Sequence, residues 1–373
     1  MYLDNAATTP VLPVVDELYQ RYAHAAFYNP SALYAPSVAV AREVKGARSR
    51  LAQLLGCKPE QLIFTSGGTE ADNLALYGAR KRKGSRIIIS NIEHDAVYRT
   101  AMALRQQGYE VVLAPVDSCG RVIAEEFYSL ITPDTSLVSI IHVSNETGAV
   151  NDIATLCARA KQINPHLLFH ADGVQAFCHV PVNVHSLGVD FYSVSAHKLG
   201  ALKGTGALYV REGVHISPLL TGGGQESDRR SGTENVLGIA AFAACAELCS
   251  REMSALAEKG LALRKALQPL LSDRCLLVSP EDGAPHICTL SFSDVRGEVL
   301  MHALEASGIQ VGIGSACSSN KGTARAPEAL GLTGGFTKGM LRLSINHFDT
   351  YDFEFLSQAI QEQVKILSRF IRI

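Results

Sequence analysis

The 373-residue chain reads as an α/β protein, with a large unit on a mostly parallel central sheet flanked by helices and a smaller α+β unit after it. Two observations predict this. Short β-branched runs alternate with helical patterns from about residue 60 to 210, the pattern of a parallel sheet whose two faces are covered by helices. After about residue 252 the rhythm changes, and the length exceeds what one hydrophobic core usually organises.

In chain order, strands are predicted at Leu62–Thr65, Arg86–Ser90, Val111–Leu113, Leu137–Val143, Leu167–His170 and Phe191–Ser195. Helical segments of about three turns fall at Glu70–Arg82, Ala96–Gln107 and Ile153–Ile163. A helix from Thr233 to about Glu252 leads out of the unit. Its apolar stretch, Val236 to Ala246, is too short for a membrane span and reads as a buried helix. The smaller unit has a strand at Ile287–Phe292, a helix at Gly297–Ser307, a glycine-rich loop, a strand at Met340–Ile345 and a last helix at Tyr351–Phe370. The expected division is 15–250 for the large domain, and 1–14 with 251–373 for the small one.

Hydrophobic residues make up 47% and charged residues 19%, which suits a well-buried enzyme and argues against disorder. A formal net charge of −2 gives no reason to expect nucleic acid or an anionic membrane as partner. The segment Met1–Pro10 has neither a basic n-region nor an apolar h-region, so no signal peptide is expected. Nine cysteines, an odd number without a Cys-x-x-Cys pair, suggest neither a disulfide framework nor a zinc site. No metal is expected, and the cytoplasm is the default location.

The apolar run Val189–Val194 leads directly into Ser195-Ala196-His197-Lys198. A lysine in such a context either emerges into solvent at the strand end or is desolvated until its amine can form a Schiff base. Other strand ends also run into useful polar groups: Ser66-Gly67-Gly68-Thr69, Glu93-His94, Asn145-Glu146 and Asp172. In open α/β sheets ligands bind at the carboxyl ends of the strands, so these groups are expected to share one crevice. Ser66–Thr69 precedes a helix and reads either as an ordinary N-cap or as a phosphate cradle. Asp172 stands 26 residues before Lys198, one βα unit away, and could equally be a helix cap. Lysine, carboxylate and phosphate cradle together describe the needs of pyridoxal 5′-phosphate: an amine for the aldehyde, a partner for the ring nitrogen and a seat for the phosphate. His94 could cover the ring and move protons, or be a structural histidine. Cys317, in the glycine-rich loop at about 311–325, could be a nucleophile or an incidental thiol. Cys245 and Cys249, on one helical face, read as core packing.

These residues, together with Tyr2–Pro10, Asn29-Pro30-Ser31, Thr65–Asn73, His142–Gly148, His170–Gln175, Gly222–Glu226, Arg230–Asn235 and Gly314–Cys317, give the chain a close resemblance, nearly end to end, to the cysteine desulfurases of the NifS/IscS type. Those are class V aminotransferase-like enzymes of PLP-dependent transferase fold type I. The resemblance implies that L-cysteine is converted to L-alanine, with the sulfur carried as a persulfide on Cys317. It would pass to an acceptor protein, such as an iron–sulfur cluster scaffold or a tRNA thiolation protein. It implies phosphate contacts from Gly68, Thr69, Ser195 and His197, and from Thr233 of the neighbouring subunit of a homodimer. Asn145 would contact the ring hydroxyl and the substrate, Asp172 the ring nitrogen, and Gln175 would help fix the ring. Lys198 would hold the cofactor, His94 would relay a proton, and Arg342 would clamp the substrate carboxylate. Gly314-Ser315-Ala316-Cys317 favours the branch with the longer cysteine loop.

The sequence departs from that pattern at Gln225 and Tyr34, where relatives often have histidine, and in Ser318–Ala329, which lacks a proline-serine-histidine continuation. It also stops soon after its last helix, without the tail that relatives use near a scaffold. These departures bear on the partner and leave the core chemistry intact. A selenocysteine lyase would share the same residues. An aminotransferase would leave Cys317 without a task, and a non-catalytic relative would have lost Lys198, Asp172 or Cys317. A dinucleotide-binding reading lacks its glycine fingerprint.

Overall fold

A computed structural model describes residues 1–79, 82–314 and 325–370 of the chain. Its centre is a seven-stranded sheet made of β2 (Leu62–Thr65), β3 (Arg86–Ser90), β4 (Glu110–Ala114), β5 (Thr135–Ile141), β6 (Leu168–Asp172), β7 (Phe191–Ser195) and β8 (Gly206–Val210). The spatial order is β2-β8-β7-β6-β5-β3-β4, and every pairing is parallel except the two that β8 makes. Strands β2, β7 and β8 are buried along their whole length, as continuous apolar runs require when both faces are covered. One face packs Ile88, Val138, Ile140, Phe169 and Tyr192, and the other packs Ile63, Ile87, Ile89, Leu137 and Phe191.

A second core gathers Leu3, Leu256, Leu263, Leu290, Leu300, Leu341 and Ile360. It surrounds a three-stranded antiparallel sheet of β9 (Cys275–Leu277), β10 (Ile287–Phe292) and β12 (Met340–Ser344). The first strand, β1 (Tyr2–Leu3), pairs in parallel with β11 (Gln310–Val311). The start of the chain is therefore tied to this second unit, and residues 4–9 cross from there toward the large sheet.

Most predicted elements form, with shifted ends. The helix expected at Glu70–Arg82 runs from Gly68 to Gly78. It ends where Ala79 turns extended and bridges Ile216, and Gly78 packs against the backbone of Ser217, where a Cβ would come within 2.6 Å of the carbonyl oxygen. The helix of Val236–Arg251 begins at an Asn235 cap that accepts from the Gly238 N–H, rather than at Thr233. Its cysteines, Cys245 and Cys249, are buried. Several elements were not predicted, the largest being strand β8 and the 21-residue helix Ala35–Leu55; the short strands β1, β9 and β11 and the helices Val14–Gln20 and Ala124–Leu130 are others. Among the described residues, no helix is long and apolar enough to cross a membrane.

Gly173 shows how tightly the sheet supports the turn after β6. A Cβ there would lie 2.0 Å from the ring of the fully buried Tyr192, whose hydroxyl bonds to His142 Nδ1 at 2.7 Å. Overpacking of this kind costs about 1–3 kcal/mol. Gly173→Ala is therefore expected to lower the urea unfolding free energy by about that amount, and an unchanged transition would contradict the packing described.

Candidate active site

The loops after β2, β3, β5, β6 and β7 converge on a cavity of about 490 Å³ at the carboxyl ends of the strands, and Arg342 on β12 closes its far side. Ten of the twelve predicted residues line it: Gly68, Thr69, His94, Asn145, Asp172, Gln175, Ser195, His197, Lys198 and Arg342. Thr233 is exposed and does not line the cavity. Cys317 lies outside the described residues.

Lys198 follows the last residue of β7 by three positions, in a short 3-10 turn. Its Nζ donates to the carbonyl oxygens of Ala6 and Ala7 at 2.6 and 2.7 Å. Burial, reinforced by the positive charge of Arg342, brings its pKa down to about 7. The amine is thus substantially neutral near physiological pH, as a lysine nucleophile or base must be.

Opposite it, three carboxyls crowd together. Asp172 ends β6, accepts the Val174 N–H at 2.9 Å and is raised by burial and by neighbouring Asp72. Asp72 is pushed up to about 7 and Glu93 to about 8, each mainly by burial. Oδ1 of Asp72 and Oε2 of Glu93 are buried without a hydrogen-bond partner among the described residues. His170 does not supply the missing charge: its Nε2 lies 3.5 Å from Asp72 Oδ1, but burial takes the ring down to about 4, and its nitrogens bond with Ser139 and Ser193. His94, open to the cavity, caps the helix Asp95–Gln106 by accepting the Ala96 N–H on Nδ1. Its proton, when neutral, is therefore on Nε2. Ligand atoms of Asp72, His94 and Asp172 lie within 4.8 Å of one another, so the cluster suits a cation.

The helix Gly68–Gly78 points its N-terminus at the other end of the cavity. Orphan N–H groups and the helix dipole favour an anion there. A Cβ on Gly68 would sit 2.6 Å from Val174 and fill this cradle. Ser195 Oγ is buried without a partner among the described residues, and His197 is held by Thr8 through Nδ1 at 3.2 Å. Arg342 donates to the Asn145 carbonyl at 2.8 Å and to Asp4 at 2.9 Å, while its buried Nε has no partner among the described residues. Asn145 Oδ1 is likewise unpartnered.

The sequence pattern assigned no role to Asp72, Glu93 or Arg325. The spacing of Asp72, four residues after Gly68 on one helical face, carried the signal. Arg325 had none: its guanidinium reaches the carbonyls of Asn91 and Glu93 and lies 4.1 Å over the Tyr98 ring, contacts made only by folding.

Residues 1–352 match the family described as aminotransferase class-V. A cysteine desulfurase IscS of Dictyoglomus turgidum is 39% identical over 327 residues, covering 86% of this chain and 82% of that one. One of Methanosarcina thermophila is 39% identical over 357 residues, covering 94% and 88%. A solved structure named NifS-like protein superposes with a TM-score of 0.91 at 34% identity, covering 99% of this chain and 100% of the other. The fold and the site define a pyridoxal-phosphate enzyme of fold type I. The chain belongs to the class-V aminotransferase family, in the branch of the NifS- and IscS-like proteins.

The residues present fit that cofactor. A near-neutral lysine, an anion cradle with an unpartnered hydroxyl and a buried acid cluster short of a cation match an aldehyde, a phosphate and a protonatable ring nitrogen. In cofactor-stripped protein, acylation of the Lys198 amine is expected to rise with pH around a midpoint near 7, because only the neutral amine reacts. Site-resolved mass spectrometry would check this, and a midpoint near the ordinary lysine value would contradict the desolvation described.

Proposed function

We propose that this chain is a cysteine desulfurase that converts L-cysteine to L-alanine and holds the released sulfur as a persulfide on Cys317. The observation that carries the reading is the meeting, in one cavity, of the Lys198 amine, the Asp172 carboxyl and the Arg342 guanidinium. Relatives named cysteine desulfurase support it. The division into a large domain at 15–250 and a small one at 1–14 with 251–373 is part of the reading, supported by the second core, whose buried residues are Leu3 and residues between Leu256 and Ile360.

Bound pyridoxal phosphate supplies an electron sink for the substrate's Cα. Gly68, Thr69, Ser195 and His197 would hold its phosphate, with Thr233 contributed across a homodimer. The exposure of Thr233 agrees with that role. Asp172 would balance the ring nitrogen's charge, Asn145 and Gln175 would reach the ring oxygen, and Arg342 would take the substrate carboxylate through its planar donor set. Lys198 removes the Cα proton, a task suited to an amine titrating near 7. The Cys317 thiolate attacks the substrate sulfur. The carbon–sulfur bond breaks as a sulfur–sulfur bond forms, Cys317 is oxidised, and the substrate carbon is reduced and takes up protons to leave as alanine. His94 relays protons through its Nε2. The eight described cysteines all have thiol pKa values raised by burial, so none competes as the reactive thiolate. The persulfide would pass to an acceptor protein for iron–sulfur cluster assembly or tRNA thiolation, in the cytoplasm.

Lys198→Ala is expected to abolish alanine formation and the near-visible absorption of the bound cofactor. Cys317→Ser is expected to retain that absorption and to bind cysteine, while sulfide release in the presence of a reductant falls to background. Release by Cys317→Ser at the parental rate would remove this thiol from the reaction.

A further inference from the structure

Beneath the turn after β6 lies a buried stack of three histidines that the reaction above does not use. His179 and His286 stack at 3.9 Å between centroids, with ring planes 20° apart, and His347 lies 5.0 Å from His179. They are 5%, 1% and 3% exposed, so each ring must account for its nitrogens within the protein. His179 Nδ1 faces the carbonyl of Phe177 at 3.1 Å, and His347 Nε2 faces that of Cys178 at 2.8 Å. Carbonyls only accept, so both rings donate. Cys178 holds a φ of 59°, rare for a residue with a Cβ. The stack thus secures a strained turn a few residues beyond Asp172.

His286 points at the cofactor side. Its Nε2 lies 3.2 Å from Gln175 Oε1, and Gln175 Nε2 donates to the Ala6 carbonyl at 2.8 Å. That carbonyl also accepts the Lys198 amine. Since Ala6 O can only accept, the amide of Gln175 is assigned, and its oxygen must accept from His286. His286 Nδ1 is buried with no partner among the described residues, so the ring's single proton belongs on Nε2. The cations around the ring (Lys198, Arg264 and Arg342) and its neighbour His347 all oppose a second proton.

We propose that His286 is a positioning residue whose Nε2–H locks the Gln175 amide in one orientation, so that Gln175 presents only N–H donors to the cavity and selects an acceptor oxygen on what binds there. This rests on the pyridoxal-phosphate reading, in which that acceptor is the ring oxygen. Without His286 the Gln175 oxygen loses its donor, and the Ala6 carbonyl alone is left to hold the amide in this orientation. A donor beside an acceptor oxygen favours its unprotonated form, and losing the donor raises the pH at which it titrates.

The test compares His286→Leu and His286→Gln with the parent, with thermal unfolding as the check on folding. Glutamine can place a terminal N–H where the ring had Nε2–H. In His286→Leu the pH midpoint of the bound cofactor's absorption is expected to rise by roughly half to one unit, and pyridoxal phosphate to bind about fivefold more weakly. His286→Gln is expected to restore both. Nitrogen-15 spectra of ring-labelled histidine in the cofactor-free parent should show His286 neutral at pH 7 with its proton on Nε2. A folded His286→Leu with parental midpoint and affinity would overturn the proposal, as would a proton on Nδ1 or on both nitrogens. Should His286→Leu not fold, the spectra and His286→Gln decide. A parent with no cofactor absorption would instead overturn the enzyme reading, and the nitrogen spectra separate the two failures.

Discussion

The carbonyl oxygen of Ala6 is the point on which the site turns. It accepts from Lys198 Nζ at 2.6 Å and from Gln175 Nε2 at 2.8 Å, joining the ends of two loops of the large sheet. Ala6 belongs to neither loop. It lies on the segment that leaves β1, and its own N–H donates to Ser344 Oγ at the end of β12. The reactive amine is therefore held by backbone from the opposite unit. An uncharged partner matters here, because a carboxylate in the same place would keep the ammonium protonated.

Burial then sorts the remaining charges. The histidines of the interior become neutral, with His142, His170, His197 and His347 each taken down to about 4. The carboxyls Asp72, Glu93 and Asp172 are raised for the same reason; Asp72 pushes Asp172 up further, and both do so to Glu93. What is left is an interior with acceptors at one end, donors at the other and a neutral amine between them. A ligand that is cationic at one edge and anionic at the other completes this pattern, which an apolar one would leave unpaired.

Some of this was legible in the residues. β2, β3 and β7 appear at their predicted bounds because β-branched runs bordered by polar residues have little alternative in a sheet covered on both sides. β8 escaped because it follows β7 closely and pairs antiparallel to both neighbours, which breaks the strand–helix alternation that revealed the others. The helix Ala35–Leu55 does carry a helical stripe in Val40, Val44, Ala47, Leu51 and Leu55, but it lies ahead of the alternating region.

The sequence alone determined the chemistry available: a lysine, an aspartate and a glycine-led helix at the ends of recognisable elements, and an arginine within a strand. Side-chain type and local periodicity are properties of a chain segment, so they survive without the fold. That the expected groups do meet in one cavity, which way the Gln175 amide faces, and that Arg325 and His286 stand behind the named residues were decided only by the tertiary structure. Those facts depend on distances between segments as far apart as Ala6 and Lys198 or Gln175 and His286, and on burial that no local pattern encodes.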